Sequence, residues 1–191
     1  MMKKLLLFSA ALAVAFSFLV ANAQEEKKPL RNPDVIFVPT PYEVVDKMFE
    51  LANPRPGEVL YDLGCGDGRI PVQAAKKFGI KTWGFDINPV RVEESLANVK
   101  QNKVEHLTTI KLQDIFELDL SKADVITLYL LPTLNVKLIP QLDKLKPGCR
   151  IVSHDFDMKG VKPKRHVQVR AADGRDHQVY LWVTPLEKEK E

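Results

Sequence analysis

The run Val59-Leu60-Tyr61-Asp62-Leu63 passes without a spacer into Gly64-Cys65-Gly66-Asp67-Gly68. From Arg69 onward the apolar residues Ile70, Val72, Ala74, Ala75 and Phe78 recur with a helical period, and Gly79 follows as a stop. A short strand, a glycine turn and an immediate helix constrain the chain to a parallel α/β unit. Glycine bends the backbone sharply at such a junction and lets a ligand approach the main chain.

The pattern repeats along the chain. Apolar runs predict strands over 59–63, 81–85, 107–112, 123–130 and 150–153, and amphipathic periods predict helices over 69–78, 90–99 and 134–145. The 123–130 run is almost wholly apolar, as expected of a strand buried on both faces. Strand–helix alternation implies a parallel sheet with right-handed crossovers. Ahead of it, Thr40-Pro41-Tyr42-Glu43 has the composition of a capping box, with Thr40 as cap and Val44, Met48, Phe49 and Leu51 as the buried face. After Pro163 the residues 166–170 and 178–183 are β-rich around Ala172-Asp173-Gly174, which predicts an antiparallel hairpin.

The termini differ in kind from this core. Lys3 and Lys4 precede an apolar run over 5–20, and Ala21-Asn22-Ala23 supplies small residues where a signal peptidase cuts. The expected organisation is a signal peptide over 1–23, an extended lead-in over 24–39, a catalytic domain over 40–185 and a solvated, frayed charged tail over 186–191. The protein is therefore expected to be exported, or held in a membrane by residues 5–21 if they are not cleaved. Loss of Lys3 and Lys4 lowers the net charge from +3 to +1, and no basic stripe marks a nucleic-acid footprint. Cys65 and Cys149 fall at different places in a parallel sheet, so no disulfide is expected.

Acids surround the glycine turn: Asp62 at the end of the first strand, Asp67 inside the turn and Asp86 at the end of the second strand. A pyrophosphate would be repelled there, and Arg69 stands where a dinucleotide fingerprint has its third glycine. A ligand with an amino group and a sulfonium would be attracted. This argues for S-adenosylmethionine over NAD. No metal-ligand set, nucleophile triad or paired carboxylates appear at a recognisable spacing.

Asp62-Leu63-Gly64-Cys65-Gly66-Asp67-Gly68 resembles the first motif of class I methyltransferases, and Gly84-Phe85-Asp86-Ile87-Asn88-Pro89 resembles their second-strand motif. The resemblance implies a Rossmann-like α/β fold, a seven-stranded, mostly parallel sheet with an antiparallel terminal hairpin. It also implies that Asp62 holds the cofactor amino group and that Gly64, Cys65, Gly66, Asp67 and Gly68 form the loop against its methionine part. Asp86 then binds the ribose, Asn88 beside it also contacts the cofactor, Ile87 and Ile115 lie at the adenine ring, and Asp114 at the adenine amino group. More narrowly, Phe37-Val38-Pro39-Thr40 with the glycine loop and Asn88-Pro89 is similar to the protein-lysine methyltransferases of the ATP synthase c-ring protein and the adenine nucleotide translocase. That likeness implies a protein lysine as methyl acceptor, although Leu130-Leu131-Pro132-Thr133 departs from the family's substrate-side motif. Substrate-side candidates are Thr40, Leu131, Pro132, His154 and Asp155, with Tyr129 placed to touch the reacting centre. The competing expectation is a non-catalytic adenosyl-ligand-binding or interaction module on the same fold.

Overall fold

The computed structural model describes residues 30–189. The expected leader over 1–23 lies outside the described residues. Helix α1 (Tyr42–Ala52) leads into a strand–helix series. It comprises β1 (Val59–Leu63), α2 (Arg69–Phe78), β2 (Lys81–Asp86), α3 (Pro89–Gln101), β3 (Thr108–Leu112), a 3-10 turn (Ile115–Glu117), β4 (Val125–Leu128), α4 (Pro132–Leu142) and β5 (Arg150–His154). The hairpin β6 (Arg165–Arg170) and β7 (Asp176–Val183) completes it. The sheet has seven strands in the order β3-β2-β1-β4-β5-β7-β6. β1 to β5 pair in parallel, while β7 pairs antiparallel with both β5 and β6. The second strand of the hairpin thus inserts beside β5, and the first becomes the edge.

Two cores follow from the alternation of side chains along the strands. Leu60, Val125, Val152, Val179 and Leu181 pack under α1 and α2 through Val45, Phe49, Ile70 and Ala74. Tyr61, Leu63, Ile126, Leu128, Ile151 and Trp182 face the other way and are covered by Leu138 and Leu142 of α4. β4 is buried at all four positions, as its composition predicts. It is shorter than the apolar run 123–130, because Leu130 leaves the ladder and Pro132 starts α4 two residues before the helical period becomes visible.

Two expectations are corrected. Thr40 does not cap α1, whose N-cap is Pro41 with no side-chain cap bond. The Thr40 hydroxyl instead lies 3.1 Å from His154 Nδ1, a buried partner that outcompetes a helix end. The tail is not frayed through Glu189. Lys162 N donates to Glu187 O at 2.8 Å and Glu189 N to Gly160 O at 3.1 Å, so backbone pairing docks a segment whose alternating charges suggested solvation. Lys188 adds an ion pair to Asp143 at 2.8 Å. Cys65 and Cys149 are both buried and free, as expected. Among the described residues, no helix is long and apolar enough to cross a membrane.

Candidate functional site

The strand order reverses between β1 and β4, and a cleft opens there at the carboxyl ends of the strands, the place where open α/β sheets bind ligands. Asp62, Gly64, Cys65, Gly66 and Asp67 line it from β1, and Asp86, Ile87 and Asn88 line it from β2. Asp114 and Ile115 line it after β3, and Tyr129 and Leu130 after β4. Every loop and ribose or adenine candidate except Gly68 lies on this lining. Gly68 is one step behind, where a Cβ would meet Ser95 at 3.0 Å.

Asp62 is the centre of the arrangement. In register it sits between Gly84 of β2 and Thr127 of β4. Thr127 Oγ1 donates to Asp62 Oδ1 at 2.6 Å. Asp62 Oδ2 is buried without a hydrogen-bond partner among the described residues. A buried carboxylate oxygen left empty costs stability unless something external donates to it. Burial raises the Asp62 carboxyl to about 7, despite the Thr127 bond that favours the charged form.

The turn is held open by its own hydrogen bonds. Gly64 N and Cys65 N both donate to Phe85 O at 2.9 Å. Gly66 N donates to Asp86 Oδ2 at 2.9 Å, and Asn88 N donates to Asp86 Oδ1 at 2.9 Å. Burial raises the Asp86 carboxyl, and these amides only partly offset it. Gly66 has φ 56, and a Cβ there would lie 2.2 Å from Phe37 Cε2. Cys65 is packed beneath the loop, its Sγ 3.7 Å from Ser95 Oγ, and burial pushes its thiol well up. Its side chain packs against Gly84 of β2, where an added Cβ would lie 2.9 Å from the Cys65 sulfur.

The charge pattern differs from expectation in one respect. Asp67 does not present a free charge to the cleft. Arg69 Nε and Nη2 bind its carboxylate at 3.0 and 2.6 Å, and Arg69 Nη1 donates to Thr40 O at 3.0 Å. A guanidinium two residues away fits a carboxylate with two donors, so the negative field of the cleft comes from Asp62 and Asp86.

The lead-in contributes more than its extended composition implied. Residues 31 and 33–40 all line the cleft. Arg31 Nε donates to Asp114 Oδ2 at 2.6 Å, and this bond holds the Asp114 carboxyl below its ordinary value. Arg31 also pairs with Asp34 at 2.6 Å, and Arg91 lies over the Phe37 ring at 4.7 Å. Nothing in the local sequence marks Arg31, Ser95 or Thr127. Their roles come from long-range register and from chain reversal.

The substrate-side candidates separate. Thr40 and Tyr129 line the cleft. Leu131 and Pro132 do not; Leu131 is the exposed N-cap of α4, and Leu130 and Leu134 line the wall instead. His154 is fully buried behind Thr40 and Tyr129, with its ring 3.8 Å from the Tyr129 ring. Burial pushes the His154 imidazole well below its ordinary value. Asp155 follows it with φ 57, a strained conformation for a non-glycine residue.

Comparison with known proteins agrees with this geometry. Residues 62–165 match the family model of the ANTKMT methyltransferase domain. A protein-lysine N-methyltransferase of Saccharolobus islandicus (strain REY15A) is 46% identical over 154 residues, covering 79% of this chain and 94% of that protein. An ATP synthase C-subunit lysine N-methyltransferase of Xenopus laevis is 27% identical over 132 residues, covering 66% of this chain and 56% of that protein. Among solved structures, an RNA methyltransferase from Salinibacter ruber in complex with S-adenosyl-L-homocysteine superposes with a TM-score of 0.74 at 45% identity, covering 81% of this chain and 98% of that one. On the match of its glycine-loop half to that model and its near full-length likeness to a lysine methyltransferase, this chain belongs to the ANTKMT methyltransferase domain family.

Proposed function

We propose that this protein is an S-adenosylmethionine-dependent methyltransferase whose acceptor is a lysine side chain of a protein. The observation that carries the cofactor is Asp62 Oδ2, a buried acceptor on the cleft lining that has no donor among the described residues. The residues fit the group: Asp62 would accept from its amino end, the glycine backbone would lie against its chain, and Asp86 would accept from its ribose hydroxyls. When bound, the cofactor supplies an activated methyl group on a sulfonium.

This chain's contribution is positioning. Asp62 and Asp86 fix one partner. The wall made by Tyr129, Leu130 and Leu134 keeps the other dry, and burial favours the neutral, nucleophilic amine over the ammonium. The Tyr129 ring face adds attraction for positive charge, worth on the order of 0.5–2 kcal/mol. Tyr129, Leu130 and Leu134 would hold the amine against the methyl group that the cofactor supplies, and the proton released from the methylated amine would pass to solvent at the mouth of the cleft.

A protein acceptor is supported over RNA by the cleft's cations. Arg31, Arg69 and Arg91 line it, and each is paired with a carboxylate: Asp114 and Asp34, Asp67, and Glu94. Arginines already paired are poor phosphate ligands, and phosphate contacts supply most RNA affinity. The test is transfer of labelled methyl from the cofactor to a cell lysate, with mass spectrometry of what becomes labelled. Label on lysines is expected; label confined to RNA overturns the acceptor, and no label with no cofactor binding returns the chain to the interaction-module reading. Export through residues 1–23 remains part of the proposal, checked by sequencing the amino terminus of the native protein.

A further inference from the structure

Beyond the cofactor cleft, three ligand-type atoms converge where the hairpin meets the end of β5. His154 Nε2 lies 2.8 Å from His177 Nδ1. Asp155 Oδ2 lies 3.3 Å from His154 Nε2 and 3.2 Å from His177 Nδ1. Bonds of about 2.1 Å to one ion would place adjacent donors about 3.0 Å apart in octahedral and about 3.4 Å apart in tetrahedral geometry. Two of the observed separations, 3.2 and 3.3 Å, fall within that range, and the third, 2.8 Å, is about 0.2 Å short of it. We infer that His154, Asp155 and His177 form a binding site for a divalent transition-metal ion.

Each of the three atoms faces the other two, while the far nitrogen of each imidazole has a contact outside the triangle. The Asp173 carboxylate lies 3.1 Å from His177 Nε2, and a proton held there would leave His177 Nδ1 free to ligate. In that tautomer His177 Nδ1 and Asp155 Oδ2, 3.2 Å apart, would both offer lone pairs to one ion. A cation between the three would be ligated by each. The outer contacts are those that orient metal-bound imidazoles: His177 Nε2 on a carboxylate and His154 Nδ1 on the Thr40 hydroxyl.

The scaffold is also held in place. Asp155 is kept at φ 57 by Gln178 N donating to its Oδ1 at 2.9 Å and by its own N donating to Gln178 O at 2.7 Å. Asn135 Nδ2 donates to Phe156 O and Asp157 O at 3.2 and 3.0 Å, which fixes the chain leaving the site. Both histidines are buried, whereas the Asp155 side chain is 24% exposed, so an ion and its remaining ligand enter from the Asp155 side. Two imidazoles and one carboxylate suit Zn2+ and its first-row neighbours over Mg2+ or Ca2+. Such an ion would tie β5, β7 and, through Thr40, the lead-in together at the rim of the cleft.

The test uses the full chain, stripped by chelator and titrated with Zn2+ and with Co2+ as an optical probe. One ion per chain is expected, with a Co2+ spectrum showing imidazole ligation. Asp155→Asn and His177→Gln should each weaken binding at least 100-fold. Asp173→Asn, which touches only the outer contact, should weaken it about 10- to 100-fold. Asp155→Asn and Asp173→Asn are isosteric, and matched circular dichroism of their metal-free forms separates lost ligation from lost folding. Failure of the parent chain to take up a stoichiometric ion, or uptake by Asp155→Asn and His177→Gln as tight as the parent's, overturns the assignment. Neither readout depends on methyl transfer, so this site and the proposed activity stand or fall separately.

Discussion

The two ends of the central strands treat charge in opposite ways. At the amino end, Arg150 pairs with Glu58 through two nitrogens and donates from Nε to Ala52 O at 2.9 Å. Asp124 accepts from Val59 N at 2.8 Å and pairs with Lys146 at 2.5 Å. Burial pulls Glu58 and Asp124 upward, but these donors outweigh it and both carboxyls end below their ordinary values. At the carboxyl end, burial raises Asp62 and Asp86, and Asp62 retains an empty oxygen. One end is closed and stabilising. The other stores a cost that a ligand relieves. In such sheets, stability and binding reside at opposite strand ends, and here the contrast is carried by which carboxylates have donors.

The contrast breaks most visibly at Asp62. Asp62→Asn is expected to lower cofactor affinity about 100-fold, roughly 2.7 kcal/mol. The same variant should be more stable than the parent without ligand at pH 8. The sign follows from linkage: a carboxyl raised in the folded state binds its proton more tightly there than when unfolded. Its contribution is therefore largest below its ordinary value of 3.8 and is lost as pH rises toward about 7. The full shift corresponds to about 4 kcal/mol as an upper bound. Denaturant melts at pH 5 and 8 check this; an Asn variant that gains nothing over the parent at pH 8 contradicts it. By the same linkage the parent should bind cofactor more weakly as pH falls below about 7, measurable by titration calorimetry.

At the closed end, Arg150→Met should cost about 2 kcal/mol, because charged hydrogen bonds to partly buried groups are lost. Cofactor affinity should be unchanged; a change beyond about twofold (~0.4 kcal/mol) would couple the two ends and blur the comparison. Gly66→Ala should cost about 1–2 kcal/mol from the positive φ and displace Phe37 from the cleft. Thermal melting with and without cofactor separates the two effects. Smallest is Arg31→Ala. Its pair with Asp34 is at the surface and its pair with Asp114 is only partly buried, so stability should move by less than about 1 kcal/mol. Cofactor binding should weaken about threefold, or ~0.6 kcal/mol, as Asp114 and the lead-in loosen.

The cleft's inner wall was legible in advance. Gly64, Gly66, Asp62 and Asp86 are local features: a bend needs glycine, and strand ends in a parallel sheet fall on one rim. Other features were hidden because they depend on distant partners. Asp67 looked like free charge until Arg69 folded onto it. Thr40 had every mark of a cap, yet its hydroxyl goes to a histidine 114 positions away. His154 and His177 are 23 residues apart, a spacing without meaning until the β5–β7 register pairs His154 with Val179.

By itself the sequence determined the α/β class, the site of the glycine bend and the carboxylates around it, because strand and helix periods and backbone bends are set by neighbouring residues. The tertiary structure decided which charges remain unpaired, how residues 31–40 cover the cleft and that two histidines and an aspartate meet. Pairing depends on partners brought close by sheet register and chain reversal, and short-range spacing carries no information about those.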